Sequence, residues 1–150
     1  MKFRVILAIA AVGAAVALAL IAIDPAARPR CVELASLATL SVPLDSLGIE
    51  RPRFFCVDQS RGRRLRFVLA RGSDGRVRAA FDACRECYRY REGFTAAAGE
   101  LICRLCGNRY PVDRMTVGKA SCAPVPLPTQ VEGGRVTIKL ADLLKGKALF

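Results

Sequence analysis

Two C-x-x-C pairs carry the chemistry this chain is equipped to do. Cys84-Arg85-Glu86-Cys87 is followed, after fifteen residues, by Cys103-Arg104-Leu105-Cys106. Thiolates at i and i+3 of a tight turn can face one ion, and two such turns side by side offer a tetrahedron of soft ligands. A fifth cysteine, Cys122, stands a further fifteen residues along the chain. Four chemistries fit the paired knuckles. A closed zinc site that staples two loops is the plainest. The same sulfurs suit iron, as a mononuclear site or as an iron–sulfur cluster. Thiol–disulfide exchange is a third, because a C-x-x-C pair lowers a thiol pKa, but that chemistry usually sets the pair at a helix N-terminus after a buried strand. Structural disulfides are the fourth, although a ring closed within C-x-x-C is small and strained.

Composition narrows the field. The 150 residues contain no His and no Trp. His is therefore excluded as a metal ligand, as a general base and as partner of a nucleophilic Cys or Ser. With no convincing acid–base pair either, the chain reads as an electron carrier or a binding module, not an independent hydrolase or transferase, and no small organic substrate is expected. Seven cysteines are an odd number, so at least one has no internal partner. Cys31 reads as incidental or as an intermolecular thiol, and Cys56 as a small core residue. The net charge is +11, and 19 of the 24 basic residues are Arg. Such a surface can attract nucleic acid, anionic lipid or an acidic protein, or can simply reflect an Arg- and Ala-rich composition.

The knuckles must be held by something, and the intervening pattern is β. Residues 53–57 and 65–70 are β-rich runs. Ser73-Asp74-Gly75 predicts a hairpin turn, since Asp and Gly tolerate positive φ. That turn joins 65–70 to a strand over 76–81, which runs straight into the first knuckle. A short strand over 99–102 delivers the second, Gly107-Asn108 turns the chain, and 109–112 leaves. Gly after the second Cys pair lets the backbone curl so that its N–H groups face the sulfurs. Ala123-Pro124-Val125-Pro126-Leu127-Pro128 is extended, and its prolines bar it from a central strand. Residues 39–44 and 135–140 read as strands, each followed by a short helical turn. Their sequences, SVPLDSLG and TIKLADLLKG, resemble each other, either as two edges of one small barrel or by chance. Tyr88, Tyr90 and Tyr110 are expected to cover the site. Arg85 and Arg104, inside the knuckles, either bring positive charge to the thiolates or point into solvent.

Residues 5–23 are nineteen positions without a charge. As a helix they would rise about 28 Å, close to the hydrocarbon thickness of a bilayer. The run exceeds the apolar core of a usual cleaved signal, so an uncleaved single span is favoured over a signal peptide. The expected organisation is an anchor over 1–24, a Pro- and Arg-rich linker over 25–37 and a metal-binding domain over 38–150. Basic residues flank the span on both sides, but a first span with a basic start normally exports the domain C-terminal to it, so the domain is expected outside the cytoplasm.

The run VRAAFDACRECY, then Gly93-Phe94, LICRLCGNRYPVDRM and SCAPVPLP together resemble the FtrD-like membrane proteins, across about residues 38–148. One departure is Lys119-Ala120-Ser121, where the family tends to be Gly-rich before this cysteine. The resemblance implies ligation of an iron–sulfur cluster (alternatively Zn2+ or mononuclear iron) by Cys84, Cys87, Cys103 and Cys106, with Cys122 as a further metal ligand. It also implies a bacterial inner-membrane location beside a permease or redox partner protein of iron uptake; many relatives carry several spans ahead of this domain, whereas the single pass with a periplasmic domain is expected here from residues 1–30 themselves. The layout of two ligand-bearing loops and a Pro-rich segment is similar to a Rieske domain. The expected fold is therefore mainly β: a small Rieske-like β-sandwich or barrel with two metal-binding hairpin loops, preceded by one N-terminal transmembrane helix. No nucleic acid is expected as partner, because the anchor would hold the domain at a membrane. A non-redox zinc module for assembly or partner binding is the alternative.

Overall fold

A computed structural model describes residues 28–97, 99–117 and 122–150, except for the Arg61 side chain. The expected span over 5–23 lies outside the described residues. Among the described residues, no helix is long and apolar enough to cross a membrane.

The organising element is a five-stranded sheet in the order β1-β3-β4-β5-β9, where β1 is Val32–Glu33, β3 Arg53–Asp58, β4 Arg64–Arg71, β5 Val77–Cys84 and β9 Pro124–Pro126. Its middle strands are apolar on both faces, and both faces are covered. Odd-numbered Phe55, Val57, Leu65, Phe67, Leu69, Phe81 and Ala83 pack with Leu40, Val42, Val136 and Ile138 in one core. Those four come from β2 (Thr39–Pro43) and β11 (Arg135–Lys139), which pair antiparallel beside β10 (Gln130–Glu132). The two similar segments of the sequence are thus neighbours, with Leu40 opposite Ile138 and Val42 opposite Val136. Even-numbered Phe54, Val68, Ala70, Ala80 and Cys84 face the second core, which includes Phe94, Leu101, Cys103, Val112 and Met115. This layer belongs to a third sheet of β6 (Phe94–Ala97), β7 (Glu100–Cys103) and β8 (Arg109–Pro111). The period-two alternation of a strand sorts each side chain to one core or the other. Successive apolar residues in β4 and β5 result from being buried on both sides.

The mainly β architecture matches the expectation from the sequence, and the Asp74-Gly75 turn does join β4 to β5, with Gly75 at φ 75°. The helix α1 (Leu140–Lys145) ends at Gly146 as its sequence indicates. The prolines of β9 stand at the sheet edge, where a missing N–H costs no ladder bond. Three features differ from expectation. Strand β6 has no clear signal in FTAA, because its pattern is short and its partner, β7, supplies the pairing. Within the expected linker 25–37, Val32–Glu33 pairs parallel with β3. And Cys31 and Cys56 form a disulfide, their Cα atoms 5.7 Å apart. Cys31 is therefore not an incidental or intermolecular thiol, and Cys56 is more than core filling. Parallel pairing of β1 with β3 brings them together, a contact 25 residues apart that local pattern does not encode.

Candidate metal centre

Cys84 is the last residue of β5, and Cys103 the last of β7. Each knuckle is thus the point at which a strand gives out. After Cys84 the chain turns through a 3-10 segment, Cys87–Tyr90, and crosses from the central sheet to the third sheet. The first loop is therefore a crossover, not a hairpin; the second, between β7 and β8, is the hairpin expected. In that hairpin Cys103 N–H donates to the Asn108 carbonyl at 2.9 Å, and Gly107, at φ 73°, donates to the Cys103 carbonyl at 2.9 Å. Only Gly takes this left-handed position without strain.

The two strand ends meet. Cys84 Sγ and Cys103 Sγ are 4.0 Å apart. Cys87 Sγ lies 3.7 Å from Cys122 Sγ. Two triads, Cys84–Cys87–Cys122 and Cys87–Cys103–Cys106, each hold their sulfurs within 4.8 Å of one another, and Cys87 belongs to both. A tetrahedral ion with metal–sulfur bonds of about 2.3 Å would set sulfurs about 3.8 Å apart, so these separations suit a common ligand set. All five cysteines singled out by spacing are thereby brought together. Cys122 arrives because β9 pairs with the end of β5, Pro124 opposite Cys84, and Arg85 N–H donates to the Ala123 carbonyl at 3.1 Å.

The backbone is arranged for thiolates. Cys87 N–H donates to Cys84 Sγ at 3.0 Å. In the second knuckle the N–H groups of Cys106 and Leu105 bond the Cys103 sulfur, and that of Asn108 bonds Cys106. Such bonds stabilise charge on sulfur. Burial opposes them. It pushes the Cys103 thiol up to about 11. At Cys87, burial and then the sulfurs of Cys84 and Cys122 raise the thiol well above its ordinary value. Partial desolvation of Cys106 is outweighed by the Asn108 N–H and the neighbouring thiols, so its pKa falls. Bonding to Cys106 raises Cys122. A cluster whose buried members resist ionisation in this way calls for a cation to hold it as thiolates.

The site is graded in exposure. Cys84, Cys87 and Cys103 are buried and Cys106 is exposed. Tyr110 covers it as expected: its ring meets Phe94 edge-on at 6.1 Å and its hydroxyl donates to the Cys122 carbonyl. Burial raises its phenol to about 12. Tyr88 packs instead against the opposite core, and Tyr90, 62% exposed, covers little. Arg104 bridges to Glu92 (Nη1 to Oε2, 3.3 Å), while Arg85 lies in solvent.

One residue is not among the candidates that motif and spacing select. Asp82, two before Cys84, is 1% exposed and receives Phe94 N–H at 2.7 Å, Arg66 Nε at 2.8 Å and Arg28 Nη2 at 3.1 Å. An acid inside the otherwise apolar run AAFDAC is the signal that could have found it. A Cβ on Gly93, at φ 68°, would come within 2.5 Å of Asp82 Oδ1 and 2.8 Å of Arg28 Nη2, so the Gly-Phe pair of the motif is a steric and conformational need. Arg66 also donates to Cys31 Sγ at 3.1 Å and to the Pro29 carbonyl at 2.7 Å. One ion network thus ties the disulfide to the root of the first knuckle.

Comparison with known proteins places these features. No curated protein sequence matches. Among solved structures, a quaternary ammonium Rieske monooxygenase CntA in complex with an inhibitor is similar at 19% identity and TM-score 0.39, over 58% of this chain and 27% of that one. The apo form of such a monooxygenase is similar at 19% identity and TM-score 0.37, over 58% and 28%. The chain thus spans about a quarter of the length of those enzymes. The family model for "Membrane iron-sulfur containing protein FtrD-like" matches residues 50–150, which hold all five clustered cysteines. The chain belongs to the FtrD-like family of membrane iron–sulfur proteins.

Proposed function

We propose that this protein is a membrane-anchored electron carrier whose iron–sulfur centre is held by Cys84, Cys87, Cys103 and Cys106, with Cys122 as a fifth thiolate at its edge. The observation that carries the reading is the convergence of two backbone-bonded knuckles into overlapping sulfur triads, in a chain without His. The donor set fits: it is all thiolate, with three of its sulfurs buried. Such a centre supplies reversible one-electron transfer, at a potential below that of centres with His ligands. The chain's own part is to bury Cys84, Cys87 and Cys103, to direct N–H groups at the sulfurs of Cys84, Cys103 and Cys106, and to leave the Cys106 edge open. Exposed Leu105 and Tyr90 lie in the two knuckle loops. A Rieske-like arrangement is supported by the pair of ligand loops set side by side, one of them a β-hairpin.

The domain is proposed to lie on the outer side of a bacterial inner membrane, single-pass through residues 5–23, serving a permease or redox partner of iron uptake. The Cys31–Cys56 disulfide supports the oxidising side, since such bonds persist mainly outside the cytoplasm. The test is anaerobic purification of the full chain. Visible absorption with stoichiometric iron and acid-labile sulfide is expected; a colourless protein holding only zinc would establish the non-redox module instead. Cys122→Ser then assigns the fifth thiol, because unchanged metal content and spectrum would remove it from the ligand set.

A further inference from the structure

Beside the metal centre lies a groove of about 430 Å3 walled by Arg28, Arg63, Arg64, Arg66 and Arg91, with Gly62 and Phe150. Four separate chain segments contribute these arginines: the residues before β1, the β3–β4 turn, β4, and the crossover after Cys87. Among the described residues, no acid lines the groove. Arg64 is engaged by Asp58, 2.6 Å from Nη2 to Oδ2, and Arg28 and Arg66 reach Asp82 behind the wall. Arg63 and Arg91 are exposed and have no ion pair among the described residues. Arg28 Nε is buried and without a hydrogen-bond partner among them. Arginines gathered at a concave surface with too few carboxylates present forked donors that match a phosphate or carboxylate group.

The position of Arg28 selects the source of that group. It stands five residues after Ile23, the last residue of the apolar run. Five residues reach at most about 17 Å, so the Arg28 wall of the groove stays within that distance of the end of a span over 5–23. A leaflet that carries anionic headgroups attracts basic residues near its surface. Arg28 and Arg91 also line a small cleft with Cys84, Cys87 and Cys103, so a headgroup in the groove would lie next to the sulfur centre.

We propose that the five-arginine groove is a docking site for the phosphate of an anionic phospholipid headgroup, holding the metal centre in a fixed orientation at the membrane surface. The inference rests on the proposed anchor, whose loss would remove the membrane as source of the phosphate. It predicts a protein whose sulfur cluster is held against the bilayer by two contacts, one through the span and one through the groove.

The test uses the metal-loaded full chain in zwitterionic detergent micelles, titrated calorimetrically with dihexanoyl phosphatidylglycerol, dihexanoyl phosphatidylcholine and inorganic phosphate. Phosphatidylglycerol is expected to bind at least about tenfold more tightly than phosphatidylcholine, with affinity falling as salt rises. Arg63→Ser should weaken it about fivefold and Arg63→Glu about thirtyfold, with iron content and visible spectrum unchanged. Arg63 is exposed on a turn, and its backbone carbonyl keeps its bond from Gln59 N–H in either variant. Equal affinity for the two lipids, or wild-type affinity in Arg63→Glu, would overturn the site. Phosphate binding as tightly as phosphatidylglycerol would overturn the lipid assignment. Release of the chain from membranes by alkaline carbonate would overturn the anchor, and with it the lipid. An iron-loaded chain indifferent to phosphatidylglycerol defeats the groove alone; an iron-free chain that still prefers it defeats the electron-carrier reading alone.

Discussion

The seven cysteines have met two fates in the layer between the central and third sheets. Cys31 and Cys56 are joined at the β1 edge, whereas Cys84, Cys87, Cys103, Cys106 and Cys122 remain free around the far ends of β5 and β7. The second group is hardly less crowded, since Cys87 and Cys122 stand 3.7 Å apart. Proximity therefore does not separate the two. What does is chemistry around the sulfur. The β1 edge offers one sulfur to another and an arginine beside them. The knuckles offer backbone N–H groups to the sulfurs of Cys84, Cys103 and Cys106, and sulfur neighbours to all five, an arrangement made for thiolates under a cation. In an oxidising compartment, a metal holding the second group is what would keep it from the fate of the first. The disulfide then serves stability and the knuckles serve the centre, with the Asp82 network between them.

Substitutions can split these roles. Cys103→Ser should lower bound iron at least about tenfold, as loss of a buried ligand must do at least what loss of a supporting bond does. Cys31→Ala with Cys56→Ala should leave iron content intact, measured on the same preparation; loss of iron there would erase the division. Asp82→Ala should cost about 3–5 kcal/mol by denaturant melting, because Arg66, 11% exposed in its side chain, would be left charged without its partner. Its effect should reach both regions, since Asp82 touches Arg66 on one side and precedes Cys84 on the other. Loss of the disulfide alone should cost about 3 kcal/mol, the entropy of freeing a loop of this length. That is a fall in Tm of about 10 °C for a domain of this size.

The smallest effect lies away from both regions. The Arg78 side chain, with the Arg76 N–H, holds the Asp74 carboxyl at about 2. A depressed carboxylate contributes stability above its unfolded pKa, near 3.8, and loses it as pH falls through about 2. Asp74→Asn should therefore flatten the acid limb of the stability profile slightly, between about pH 4 and pH 2, and change neither iron content nor the disulfide.

Legibility in the sequence tracks the range of the interactions concerned. The knuckles, the Asp74-Gly75 turn and the edge position of the Pro-rich segment depend on spacing and dihedral preference, which neighbouring residues carry. The Cys31–Cys56 pair depends on a parallel β1–β3 contact, and a two-residue strand has no pattern to announce it. Strand β6 is likewise made by its partner. Asp82 reads as an exception in an apolar strand, but its meaning needs Arg28 and Arg66, 54 and 16 residues away. Cys122 is visible as a candidate by its spacing, yet what brings it to the site is the β9–β5 pairing at Pro124 and Cys84.

The division of the cysteines is tested most directly by mapping their state in the full chain. Membranes are isolated anaerobically, the protein is denatured with chelator and alkylating agent together, and its peptides are read by mass spectrometry. The account predicts one disulfide, Cys31–Cys56, and alkylation at Cys84, Cys87, Cys103, Cys106 and Cys122, with iron recovered in the chelator. Alkylated Cys31 and Cys56, or a disulfide among the other five, would contradict it.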